Sequence, residues 1–73
     1  MGLKYFTIEY DVDTLLSDLF REFQTSNFIA MAPPNNLMGN NKIVELRRSN
    51  SSEPVIKVDG PGFLIDELYE KFR

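Results

Sequence analysis

The sequence predicts one small α+β domain, ordered β-α-β-β-β-α, with a four-stranded, mostly antiparallel sheet and two helices packed on one of its faces. Three observations lead there. The 73 residues suffice for one core and are too few for two. Apolar residues recur with the period of a helix in two segments, and four short runs around them have strand character. Two amphipathic helices need a shared apolar surface, and a sheet of that size supplies one.

The first strand covers residues 4–10, where Phe6, Ile8 and Tyr10 alternate with Tyr5, Thr7 and Glu9. The period then changes. Val12, Leu15, Leu16, Leu19, Phe20 and Phe23 mark a helix over 12–24, with Asp11 as its N-cap and Tyr10 and Leu15 at staple positions. Residues 28–32 read as a short buried strand stopped by Pro33-Pro34, and the Asn-rich stretch to residue 41 reads as a flexible loop over 33–41. Strands over 42–48 and 54–59 flank Ser49-Asn50-Ser51-Ser52, a hairpin signature. Gly60-Pro61 then leads into a last helix over 61–72, whose apolar stripe is Leu64, Ile65, Leu68, Tyr69 and Phe72.

Composition closes several chemistries. With no Cys and no His there is no disulfide, no thiolate or imidazole metal ligand and no His-based nucleophile activation. Neither a metal nor another cofactor is expected. No apolar run approaches the roughly 18 residues of a membrane span, and no basic segment precedes an apolar one. The cytoplasm is the expected location, with no membrane partner. Net charge is −3, unevenly spread. Residues 1–24 carry Glu9, Asp11, Asp13, Asp18 and Glu22 against Lys4 and Arg21. Residues 40–58 carry Lys42, Arg47, Arg48 and Lys57 against Glu45 and Glu53. An acidic helical side and a basic hairpin follow.

Asp11-Val12-Asp13-Thr14-Leu15 after an apolar strand resembles a shortened first motif of the haloacid-dehalogenase phosphatases, in which one Asp attacks phosphorus and the second serves as acid/base beside Mg²⁺. The Gly that separates the second Asp from Thr in that family is missing. The resemblance also implies a Lys and further carboxylates on a much longer chain. Capping accounts for Asp11, and the helix dipole for Asp13, without metal. The carboxylate pairs Asp18/Glu22 and Asp66/Glu70 lie opposite the apolar stripes and read as solvated helix faces rather than as an acid/base pair. Gly60-Pro61-Gly62 reads as a strand-to-helix turn, since acids nearby would repel phosphate. No catalytic residues are expected.

Pleating leaves one unusual surface. If Phe6, Ile8, Tyr10, Val44, Leu46, Ile56 and Val58 face the helices, then Leu3, Tyr5, Ile43 and Val55 face away. The second strand adds Ile29 and Met31, or else Phe28 and Ala30, to that outer side. An apolar patch rimmed by Thr7, Glu9, Glu45, Arg47 and Lys57 is expected, where a solvated sheet face would normally be polar. Leu3, Tyr5, Ile29, Met31, Ile43, Arg47 and Val55 therefore form the candidate interface. It suits a non-catalytic protein-interaction module that dimerises or binds a protein target, of inhibitor or adaptor type. Phage-type inhibitors of host enzymes are one such kind. A mimic of DNA phosphates built from Asp13, Asp18, Glu22, Asp66, Glu67 and Glu70 is another. The alternative is a nucleic-acid-binding accessory domain working through Lys42, Arg47, Arg48 and Lys57. The competing expectation for the outer face is a covering loop bearing Leu37 and Met38.

Overall fold

A computed structural model describes residues 2–73. The chain runs β1 (Lys4–Thr7), α1 (Val12–Phe23), β2 (Phe28–Ala30), β3 (Asn35–Asn36), β4 (Asn41–Arg48), β5 (Pro54–Pro61) and α2 (Gly62–Phe72). The α+β class and the two helices match expectation. The sheet has five strands rather than four. Its order is β1-β5-β4-β2, and β3 also pairs with β4. Every pairing is antiparallel except β1 with β5, which is parallel.

The extra strand arises in the Asn-rich stretch expected to be a flexible loop. Asn35 pairs with Ile43 and Asn36 with Lys42, continuing along β4 the edge that β2 begins at Arg48. β4 is eight residues long and β2 only three, so unpaired backbone groups remain along β4 for β3 to meet. Pro33 and Pro34 lie where the edge breaks, as expected of residues that cannot donate to a ladder. A tight turn closes this hairpin, with the Leu37 N–H donating to the Asn41 carbonyl at 2.8 Å.

Helix α1 starts where Asp11 caps it: the Thr14 N–H donates to Asp11 Oδ1 at 2.7 Å. It ends at Gln24, which turns left-handed at φ 59°. Val12, Leu15 and Leu19 are buried, and Leu16 and Phe23 pack against the core. Phe20, expected in the stripe, is 54% exposed. In α2, Leu64, Ile65 and Leu68 are buried, with Tyr69 and Phe72 packed beside them. These residues join Ile8, Phe28, Val44, Leu46, Ile56 and Val58 in one core between the helices and one side of the sheet.

The first strand is shorter than expected. Ile8 still donates to the Asp59 carbonyl at 2.9 Å, but the chain then leaves the sheet toward α1. Tyr10, expected on the core side and in a staple with Leu15, is 80% exposed. Because β1 and β5 are parallel, both helices begin at the same end of the sheet. There Gly60, at φ 153°, lies against Ile8, and an added Cβ would meet the Ile8 carbonyl oxygen and, at 2.6 Å, its Cγ2.

Gly60→Ala is therefore expected to cost about 2–3 kcal/mol through strain and overpacking. Gly39→Ala, at φ 67° with nothing within 4 Å of its added Cβ, should cost about 1 kcal/mol. Urea unfolding of both variants checks this, and equal losses would contradict the close approach of Gly60 to Ile8.

Candidate functional site

The strand registers fix what the helix-free side of the sheet displays. Tyr5 lies beside Lys57, Lys57 beside Glu45, and the Met31 N–H donates to the Glu45 carbonyl at 3.0 Å. A row Tyr5–Lys57–Glu45–Met31 thus crosses the sheet from β1 to the chain just past β2. A second row runs Thr7–Asp59–Ile43–Asn35. On the other flank Ile29 pairs with Arg47, while Leu3 lies two positions before Tyr5 on the opposite edge.

Phe28 is buried, so β2 sends Ile29 and Met31 outward. Tyr5 is 70% exposed and Met31 39%, while Leu3, Ile29 and Ile43 are half-buried. Val55 departs from the expected set. The β4–β5 register skips it at an irregularity beside Leu46 and Arg47, and it packs against the core. It lines a cleft of about 420 Å³ with Gly2, Lys4, Phe23 and Arg48. A bulge re-aims a side chain in this way because two residues on one strand oppose one on the other.

The charges are also placed differently from expectation. Glu45 and Lys57 occupy the middle of the face rather than its rim, 3.4 Å apart and partly buried. Lys57 Nζ sits 5.8 Å from the Tyr5 ring centroid. Asp59 accepts from the Thr7 hydroxyl at 2.8 Å, and Arg47 donates to the Ser51 carbonyl at 2.9 Å. Leu37 and Met38 do not cover this side: β3 lies in the plane of the sheet, Met38 is 91% exposed and Leu37 is exposed too, while Ala32, Pro33 and Asn35 border a shallow pocket beside Ile43, Glu45 and Lys57.

The basic hairpin does not gather into one patch. Lys42 bonds to Asp66 at 2.9 Å, Lys57 to Glu45, and Arg47 to backbone carbonyls. Arg48 lies over the Phe23 ring, 5.5 Å from its centroid, at the helical side. The acidic set is similarly committed. Asp18 pairs with Arg21, Glu22 with Lys4, Asp66 with Lys42 and Glu70 with Arg73. Asp13 and Glu67 have no ion pair among the described residues. Exposed ion pairs of this kind are worth about 0–1 kcal/mol each, yet they offset charge that a phosphate mimic would present. Among the described residues no group of three or more His, Cys, Asp or Glu could hold a metal, and no helix is long and apolar enough to cross a membrane.

Sequence reasoning did not single out Phe63, which is exposed at the start of α2. The Gly62 N–H donates to the Asn40 carbonyl at 2.7 Å and ties the hairpin tip to that helix. The available signal was that Phe63 falls outside the apolar stripe of its helix.

Asp11, the first residue of the phosphatase-like motif, is used as a cap. Its carboxyl is held below the ordinary carboxylate range, first by the Thr14 backbone N–H and then by the Thr14 hydroxyl. A depressed folded-state pKa makes the charged cap stabilising above the unfolded-chain value, and that contribution disappears as pH falls through the folded value. The urea midpoint of the wild type should therefore fall relative to that of Asp11→Asn between about pH 6 and about pH 2. Parallel curves would contradict the capping role. Compared with protein-family models, with curated proteins and with solved structures, the chain finds no match.

Proposed function

We propose that this chain is a non-catalytic protein-interaction domain that docks through the side of its sheet opposite the helices. The observation that carries the reading is a face that, among the described residues, neither helix covers and from which Leu37 and Met38 stay away, on which Tyr5, Met31, Ile29, Ile43 and Leu3 surround the paired charges of Glu45 and Lys57. Pairing matters because burying a lone charge in an interface is costly, whereas a charge that brings its partner loses less on leaving water. Large aromatic side chains such as Tyr5 are also the type that anchors interfaces.

The groups that acid/base chemistry would need support the same reading. The sequence has no His or Cys, Asp11 is bound to the first turn of α1, and Asp18, Glu22, Asp66 and Glu70 are in ion pairs. An inhibitor or adaptor requires only a shaped surface, which a domain of this size provides.

Immobilised wild-type protein, Tyr5→Glu, Ile43→Glu and the helix variant Asp13→Asn should be compared for protein captured from extract of the source cells. Tyr5→Glu and Ile43→Glu should lose at least tenfold of the capture, a loss of about 1.4 kcal/mol or more, and Asp13→Asn should retain it. Equal capture by all four overturns the reading. Capture of nucleic acid that fades steeply with salt and depends on Arg47 would replace it with the nucleic-acid alternative.

A further inference from the structure

We infer that the occupant of this sheet face is a second copy of the same chain, docked about a twofold axis running parallel to the strands. The inference rests on the docking reading above and specifies its partner. Two properties of the face support it. The first is net charge. The chain as a whole is −3, but the outer face balances Lys57 and Arg47 against Glu45 and Asp59. Two copies meet there without the repulsion that their acidic helical sides would generate.

The second property is the order of the central row. From β1 across the sheet it reads aromatic, cation, anion, apolar: Tyr5, Lys57, Glu45, Met31. Neighbouring strands are about 4.8 Å apart. A twofold axis along the strands, passing between Lys57 and Glu45, reverses this row on the partner. Lys57 then lies over the partner's Glu45, and Tyr5 over the partner's Met31. On the flank, Ile29 lies over the partner's Leu3. A twofold axis across the strands and through this row would instead place Lys57 over Lys57 and Glu45 over Glu45. Charge selects the first arrangement, and like-charge contact excludes the second. The result is an isologous interface, the commonest kind in homodimers, between two sheets packed about 10 Å apart with nearly aligned strands.

The size of the face sets the strength. Four strands by three rows cover about 400 Å² per copy, roughly half of what each partner contributes to a standard stable interface. The dimer is therefore weak and concentration-dependent.

Sedimentation of the full chain from about 1 μM to about 1 mM tests this. Wild-type protein should move from the monomer mass toward twice that mass. Glu45→Lys and Lys57→Glu should each remain monomeric, because the reversed row then sets like charges together. Mixed one to one, the two single variants should recover the dimer, and so should the double variant Glu45→Lys with Lys57→Glu on its own. Recovery also shows that the single variants are folded. A wild-type protein that stays monomeric throughout, single variants that dimerise as the wild type does, or a mixture that stays monomeric overturns the inference. If the wild type is monomeric while Tyr5→Glu still abolishes capture of a foreign protein, the second copy is excluded and the docking face stands. If capture is also indifferent to Tyr5→Glu, the docking reading falls as well.

Discussion

Val44 meets Val58, and Leu46 meets Ile56, across the antiparallel pair of β4 and β5, and the rest of the molecule is placed by those four side chains. All four are buried beneath the helices. Full burial of such a side chain is worth about 1.5–3 kcal/mol, against a total of about 5–15 kcal/mol for a folded domain. A slip of one residue along either strand would turn its apolar set toward water and bring Glu45 or Lys57 under the helices, so the register is strongly specified. The same pleat that hides these four displays Ile43, Glu45, Arg47, Lys57 and Asp59 on the reverse. Core and candidate interface are thus two sides of one constraint.

The ends of the chain close around that hairpin. β1 pairs with β5 across a long separation in sequence, with Thr7 bonded to Asp59, and pairing of this range tends to form late in folding. It is also the pairing that needs Gly60. Where β1 leaves the sheet and β5 runs into α2, the two chains approach too closely for a side chain, and both helices depart from that end. The edge strand bearing Tyr5 is therefore held by its parallel pairing with β5 and by the close backbone packing at Gly60, to which the exposed Lys4–Glu22 ion pair adds little. A strand backbone held in this way loses little further freedom on binding, which favours association.

Much of this was legible in the residues. The Asp11 cap, the stripe of α2, that of α1 apart from Phe20, the 42–59 hairpin and the outward parity of Tyr5 and Ile43 follow from spacing alone. The remainder depends on partners that spacing does not name. Asn35 and Asn36 carry no alternating apolar signal, and they become a strand only because β4 outruns β2. Val55 has the parity of an outer residue, and a local irregularity in the ladder turns it to the core. Tyr10 continues the alternation of β1, yet the sheet has already ended. Most consequentially, Glu45 and Lys57 read as rim charges until the β4–β5 register places them side by side at the centre. An apolar patch with charges at its edge would accept many partners. A central pair flanked by Tyr5 and Met31 has a direction, and that direction makes the face complementary to itself.

The most direct test of this account is a residue-by-residue comparison of NMR spectra from dilute and concentrated solutions of the protein. Signals of Tyr5, Ile29, Met31, Ile43, Glu45 and Lys57 should shift together with concentration, while those of Asp13, Arg21 and Glu67 on the helices stay in place. Shifts confined to the helices, or none on the sheet face, would contradict it.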